Sequence, residues 1–150
     1  MRGDMRVITA ELFDQSDSLF VVTTNGNLRR NNTLVMGAGA AAEAKRAFRD
    51  IERLAGTAIL AKSVKRDYYL YGFLQISPLL GIFQTKDHWR NKADLNIIRM
   101  STVLLTEWCY ENPTTQVRMN FPGIGLGGLS ESEVLKIIAD LPETVTVCKR

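Results

Sequence analysis

Two short runs rich in β-branched residues, 7–13 and 19–24, open the chain on either side of the polar segment Asp14-Gln15-Ser16-Asp17-Ser18. Apolar runs of this length between turn residues predict strands. A polar loop follows, holding Asn25, Asn27, Asn31 and Asn32 with Arg29 and Arg30. Apolar positions then recur at Ala40, Ala44, Ala47, Phe48, Ile51 and Leu54, the spacing of a helix, with Gly56 where a C′ glycine would end it. Three more strand-like runs cover 57–63, 68–73 and 79–85, with Lys65-Arg66-Asp67 and Ser77-Pro78 as breaks. Their apolar density predicts a sheet covered on both faces. A helix over 93–110 carries Leu95, Ile98, Thr102, Leu105 and Cys109 on one face and Ile97, Leu104 and Trp108 on another, so it is expected to be buried on two sides. An apolar run at 116–121, a helix over 130–140 stopped by Pro142 and a last strand at 144–148 complete the chain.

The resulting order, β-β-α-β-β-β-α-β-α-β, puts helices on both sides of a mixed central sheet and predicts an α/β protein of three layers, α/β/α. With 150 residues, residues 1–150 are expected to form a single domain. The composition, 45% hydrophobic and 23% charged, is that of an ordinary globular protein. No apolar run approaches the roughly 20 residues of a membrane helix, and the charged start has no apolar segment behind it, so a cytoplasmic monomer with no membrane partner is expected. Cys109 and Cys148 are far from each other and from the only histidine, His88, which points away from a disulfide framework or a metal cluster and towards packing roles. No metal or other cofactor is implied. A net charge of +3 with a pI near 9.0 fits an anionic ligand or a nucleic acid and singles out neither. Lys45, Arg46, Arg49 and Arg53 fall along one helix and read as its solvated face.

Candidate chemistry concentrates in two glycine-rich stretches. In Asn120-Phe121-Pro122-Gly123-Ile124-Gly125-Leu126-Gly127-Gly128-Leu129, four glycines fall within six positions, between an apolar run and a helix announced by Ser130 with Glu133 as a capping box. Strand, glycine turn and helix N-terminus together direct backbone N–H groups and the positive end of a helix dipole at one point, an arrangement suited to phosphate. The other stretch, Met36-Gly37-Ala38-Gly39-Ala40, also opens a helix. Either could instead be a turn or a place of close packing, but two such loops in one small domain favour phosphate.

These features, in this order and over nearly the whole chain, resemble the macro domain, the ADP-ribose-binding fold. Ala10-Glu11-Leu12-Phe13 stands where macro domains carry a Gly-Asp-[Leu/Ile] turn, and Asn25 where their Asn-Ala-Ala-Asn motif has its second Asn. The loop Met36 to Ala40 is similar to the family's first phosphate loop, and Gly123 to Leu129 to its second. Thr85-Lys86-Asp87-His88-Trp89-Arg90, with Asp94-Leu95 downstream, is similar to the macro-domain antitoxin group that removes ADP-ribose from DNA. Hydrolases acting on ADP-ribosylated glutamate are the next nearest group. Glu11 departs from the family's adenine-binding aspartate, and Gly127 from the aspartate of the glutamate-directed enzymes. Gly127-Gly128 matches the DNA-directed group.

The resemblance implies that ADP-ribose is held by Glu11, Leu12, Asn25, Met36, Gly37, Ala38, Gly39, Ala40, Thr85, Pro122, Gly123, Ile124, Gly125, Leu126, Gly127 and Gly128. It also implies that Lys86 is the catalytic amine beside the distal ribose. A partly desolvated lysine loses proton affinity and can attack the anomeric carbon or donate a charge-assisted hydrogen bond to the ring. His88 reads as a hydrogen-bonding or structural residue and, with Trp89 and Arg90, as a candidate target contact; Trp89 could as well be core. Asn25 could fix ribose hydroxyls or tolerate a left-handed turn. The expected function is binding of ADP-ribose, or of a macromolecule bearing it, with hydrolysis of the link to a modified target, DNA or protein. The alternatives are a module that sequesters ADP-ribose or a related nucleotide signal without turnover, and a phosphatase acting on ADP-ribose 1″-phosphate.

Overall fold

The structure, a computed structural model, describes residues 3–13, 17–65 and 68–150. Asp14, Gln15 and Ser16 of the first expected turn, and Arg66 and Asp67 of the expected break, lie outside the described residues. A six-stranded sheet runs in the order β1 (Arg6–Thr9), β8 (Val145–Lys149), β7 (Val117–Asn120), β2 (Leu19–Thr24), β6 (Leu80–Gln84), β5 (Phe73–Ser77). Every neighbouring pair is parallel except β5 and β6. The sheet is therefore mixed, as expected, with its antiparallel strand at one edge.

Alternation along β2 shows why this strand reads as a continuous apolar run. Leu19 and Val21 enter a core with Ile98, Leu105 and Cys109 of α3 (Leu95–Glu111) and Val134 and Ile138 of α4 (Glu131–Ile138). Phe20 and Val22 enter a second core on the opposite face, with Ala41 and Ala44 of α1 (Gly39–Ala47) and Ile51, Ala55 and Ile59 of α2 (Ile51–Lys62). Two helices on each face make the three-layer α/β/α arrangement. Helix α3 is buried on the two sides its spacing predicts, and Asp94 caps it by accepting from the N–H groups of Asn96 and Ile97 at 2.7 and 3.3 Å.

Several elements differ from expectation. The helix read through Leu54 is two helices, because the chain leaves helical geometry at Phe48, which adopts φ −133° and packs its ring 5.9 Å from that of Phe13. Gly56 is not a C′ residue but lies inside α2, where a Cβ would come within 1.8 Å of the Asn32 carbonyl oxygen. The expected strand at 57–63 is the second half of α2; so short an apolar run satisfies either period. The expected strand at 68–73 yields β4 (Tyr69–Leu70), paired with β3 (Val64–Lys65) in a separate two-stranded ribbon, and β5 begins only at Phe73. The first strand stops at Thr9 rather than 13. Beyond it the buried guanidinium of Arg118 donates to the carbonyls of Leu12 and Glu11 at 2.8 and 2.7 Å and draws the chain off the sheet edge.

Candidate functional site

Strands β2, β6 and β7 are parallel, so their C-terminal ends share one edge of the sheet and the loops that leave them meet there. These loops and the start of α1 enclose a cleft of about 510 Å³. Of the residues expected at the site, Asn25, Gly37, Ala38, Gly39, Ala40, Thr85, Lys86, Trp89, Gly123, Ile124, Gly125, Leu126 and Gly127 line it.

The two glycine loops contribute differently. A Cβ added at Gly37, Gly39 or Gly125 would meet nothing within 4 Å, so these backbones face open space. Gly123 has φ 76°, and a Cβ there would lie 2.8 Å from Ile98 Cδ1; it serves the turn and its packing. The helix ends differ as well. Ala38 caps α1 without a side-chain hydrogen bond and no acidic residue sits in the first turn, leaving N–H groups and the positive dipole end open towards the cleft. At α4, Ser130 accepts from the Glu133 N–H and donates to the Glu133 carboxylate at 2.9 Å, and Glu131 adds a second negative charge. The first turn of this second helix is thus capped by its own residues, with Glu131 also paired to Lys149 at 2.8 Å, and the lining ends at Gly127.

Glu52 of α2 anchors the first loop: its carboxylate accepts from the Met36 N–H at 3.0 Å and pairs with Arg29 and Lys45 at 3.2 and 3.3 Å. Met36 itself is buried beneath the loop rather than in the cleft. Asn25 is not in a left-handed turn; its Nδ2 donates to the Val35 carbonyl at 2.9 Å and its Oδ1 accepts from the Asn27 N–H at 2.8 Å, clipping the loop to itself. The hydroxyl of buried Tyr71 donates to the Asn25 carbonyl from below at 2.8 Å.

Lys86 follows β6 at the cleft, half-buried, and among the described residues no carboxylate pairs with it. Desolvation holds its ammonium below the ordinary lysine pKa. The neighbouring Asp87 is occupied elsewhere: its Oδ1 accepts from the His88 N–H at 2.6 Å and from Asn91 Nδ2 at 2.8 Å. Burial works to raise the Asp87 carboxyl, but these hydrogen bonds and the nearby His88 charge outweigh it and hold the group below its usual value. The Lys86 backbone is fixed by Gln84, fully buried, whose Nε2 donates to the carbonyls of Lys86 and Tyr69 while its Oε1 accepts from the N–H groups of Tyr71 and Gly72. Thr85 donates from Oγ1 to the Thr24 carbonyl at 3.3 Å.

Trp89 is 46% exposed, which excludes a core role. Its ring stacks on His88, centroids 5.7 Å apart, and carries the Arg90 guanidinium 4.8 Å from its centroid. His88 and Arg90 do not line the cleft; they support this plate, with His88 Nδ1 accepting from the Arg90 N–H at 3.1 Å.

Glu11 lies outside the cleft, 60% exposed and paired with Arg150 at 3.0 Å; Arg150 also contacts Glu43. Leu12 lines an adjoining depression of about 220 Å³ that shares Ala40, Asn120, Phe121, Ile124 and Gly125 with the cleft. Pro122 and Gly128 do not line the cleft; Pro122 is buried, and Gly128 packs by Lys92.

Thr23, Thr24, Val35, Ala41, Asn120 and Phe121 line the cleft without having been expected there for their side chains. Asn120 Nδ2 donates to Thr23 Oγ1 at 2.7 Å and its Oδ1 accepts from the Thr23 N–H at 3.0 Å, forming a polar floor. The only sequence signal for it is a polar residue closing an apolar run. Among the described residues no group of three His, Cys, Asp or Glu side chains could hold a metal ion, and no helix is long and apolar enough to cross a membrane.

No protein-family model and no curated sequence matches the chain. Solved structures do. The macrodomain of Thermus aquaticus DarG matches with 25% identity over 97% of each chain and a TM-score of 0.72. The macrodomain of Mycobacterium tuberculosis DarG matches with 22% identity over 99% of each chain and a TM-score of 0.69. Thermosipho africanus DarTG, solved in complex with ADP-ribose, matches with 22% identity over 96% of this chain and 42% of that one, with a TM-score of 0.71. The chain therefore has the macrodomain fold, with the DarG macrodomains among its structural neighbours.

Proposed function

We propose that the cleft binds ADP-ribose and that the chain hydrolyses the glycosidic bond joining ADP-ribose to a modified nucleic acid. The diphosphate lies between the open N-terminus of α1 at Gly37–Ala40 and the Gly123–Gly127 loop. The adenine enters the depression at Leu12, Phe121 and Ile124. The distal ribose lies by Asn25, Thr85 and Lys86. Binding is supported by the match to a protein solved with ADP-ribose and by the three glycines whose missing side chains leave room for a ligand. With Glu11 turned to Arg150, the carboxylate that lines this depression is Glu43, which also contacts Arg150.

The observation that carries hydrolysis is Lys86, an amine in the cleft with no counter-ion among the described residues and a lowered pKa. Such an amine can attack the anomeric carbon as a neutral nucleophile, breaking its bond to the target, with water then displacing the amine, or it can give a proton as an ammonium to the departing target atom while water attacks the anomeric carbon. Nucleic acid is favoured over protein by the exposed Trp89 plate on the cleft rim, since a base can stack on an indole whatever its identity.

The test is release of ADP-ribose from three substrates: ADP-ribosylated single-stranded DNA, ADP-ribosylated protein and ADP-ribose 1″-phosphate. Release is expected from the first. Its pH profile distinguishes the two roles of Lys86, because a nucleophilic amine gains activity as pH rises through a pKa below the ordinary lysine value and a donating ammonium loses it there. Tight binding of ADP-ribose with release from none of the three makes the chain a sequestering module.

A further inference from the structure

A second groove, of about 290 Å³, lies beside the Lys86 corner and outside the cleft, lined by Gly26, Asn27, Arg29, Arg30, Tyr68 and Tyr69 among others. Among the described residues no carboxylate lines it. Arg29 is held by Glu52 and by the Leu34 carbonyl, whereas exposed Arg30 has no ion pair among the described residues. The groove is joined to the catalytic corner through the backbone. Gly26 donates to the Asp87 carbonyl at 2.8 Å and accepts from the Tyr69 N–H at 3.0 Å, and the buried Gln84 amide bridges the Tyr69 and Lys86 carbonyls at 2.8 and 3.2 Å. A Cβ at Gly26 would lie 2.1 Å from the Tyr69 carbonyl oxygen, so the two segments approach as closely as glycine allows.

The same corner thus carries two surfaces. Beyond Asp87 on one side stands the Trp89–Arg90 plate; across Gly26 stands the groove of guanidinium, phenol and amide groups. We propose that this groove holds a nucleotide adjacent to the modified one in a single strand, its phosphate on Arg30 and its base or sugar against Tyr68, so that the chain acts on ADP-ribose attached within a strand rather than at a terminus. This rests on the nucleic-acid reading of the cleft. The occupant follows from the lining: the Arg30 guanidinium, without an ion pair among the described residues, suits a phosphodiester, and tyrosine rings suit bases without sequence preference. Flanking contacts on both sides of Lys86 are of use only to a polymer that continues past the reacting sugar.

Arg30→Ala and Tyr68→Ala test it, since neither side chain lies in the cleft or the core. Fluorescence anisotropy with an unmodified single-stranded oligonucleotide should show wild-type binding that weakens with salt, and binding about fivefold or more weaker in each variant. Calorimetry with free ADP-ribose should give wild-type affinity in both. With ADP-ribosylated oligonucleotides, wild type should release fastest from an internal position, and the variants should lose that advantage over terminal positions. Oligonucleotide binding by the variants equal to wild type overturns the groove. So does a wild type that binds no oligonucleotide, and in that case release from ADP-ribosylated protein would show that the hydrolase reading survives without it. A parallel loss of ADP-ribose affinity would make the groove part of the cleft and also overturn the proposal.

Discussion

Helices α1 and α4 each begin after a glycine-rich loop at the same edge of the sheet, yet their first turns are in opposite states. At α4 the end is closed by its own chemistry, with Ser130 as cap, Glu133 returning the bond and Glu131 beside it. At α1 the cap is Ala38, no side chain bonds the first turn, and Gly37 and Gly39 open onto the cleft. Glycine density alone marks both loops, and it is the capping residue that shows which helix end is left for an anion. On the proposed reading the second loop contributes through its own backbone, above all at Gly125, which faces open space, and not through the dipole of the helix behind it.

The comparison can be broken or sharpened at five positions. Gly37→Val places a side chain where nothing now stands and should abolish detectable ADP-ribose binding by calorimetry while circular dichroism shows the fold intact; Gly125→Val should do the same with added backbone strain, since φ there is 64°. Ala38→Asp should give effects of opposite sign. An aspartate cap should stabilise the protein by ~0.5–2 kcal/mol in urea unfolding, while its charge at the phosphate site lowers ADP-ribose affinity by about tenfold. Ser130→Ala should cost about 1 kcal/mol of stability and leave ADP-ribose affinity unchanged, because that cap serves only α4. Smallest is Glu11→Gln, which removes a largely exposed ion pair outside the cleft and should change ADP-ribose affinity by no more than about threefold. A large loss there would return the carboxylate to adenine recognition.

What the sequence revealed follows from where each signal is encoded. Strand β2 and helix α3 are buried on two faces, so their apolar runs carry the information locally and both emerge close to their observed bounds. The join of α1 and α2 does not, because Phe48 leaves the helix to reach Phe13, a partner 35 positions earlier in the chain (48 − 13). Gly56 misleads for a similar reason: its cause is the Asn32 carbonyl, which only the folded loop brings near. At the site, Lys86 and the glycines were legible as motif residues. The Asn120–Thr23 pair, the Glu52 anchor and the Arg118 grip on residues 11 and 12 were not, since each joins segments whose meeting depends on sheet order.

The central claim is that binding and chemistry reside in different parts of the cleft, and Lys86→Ala measures both at once. Calorimetry with ADP-ribose should show affinity within about tenfold of wild type, ~1.4 kcal/mol, because the phosphate loops are untouched. Release of ADP-ribose from ADP-ribosylated single-stranded DNA should fall by ~10² or more. A folded Lys86→Ala protein that releases ADP-ribose at the wild-type rate would contradict the account.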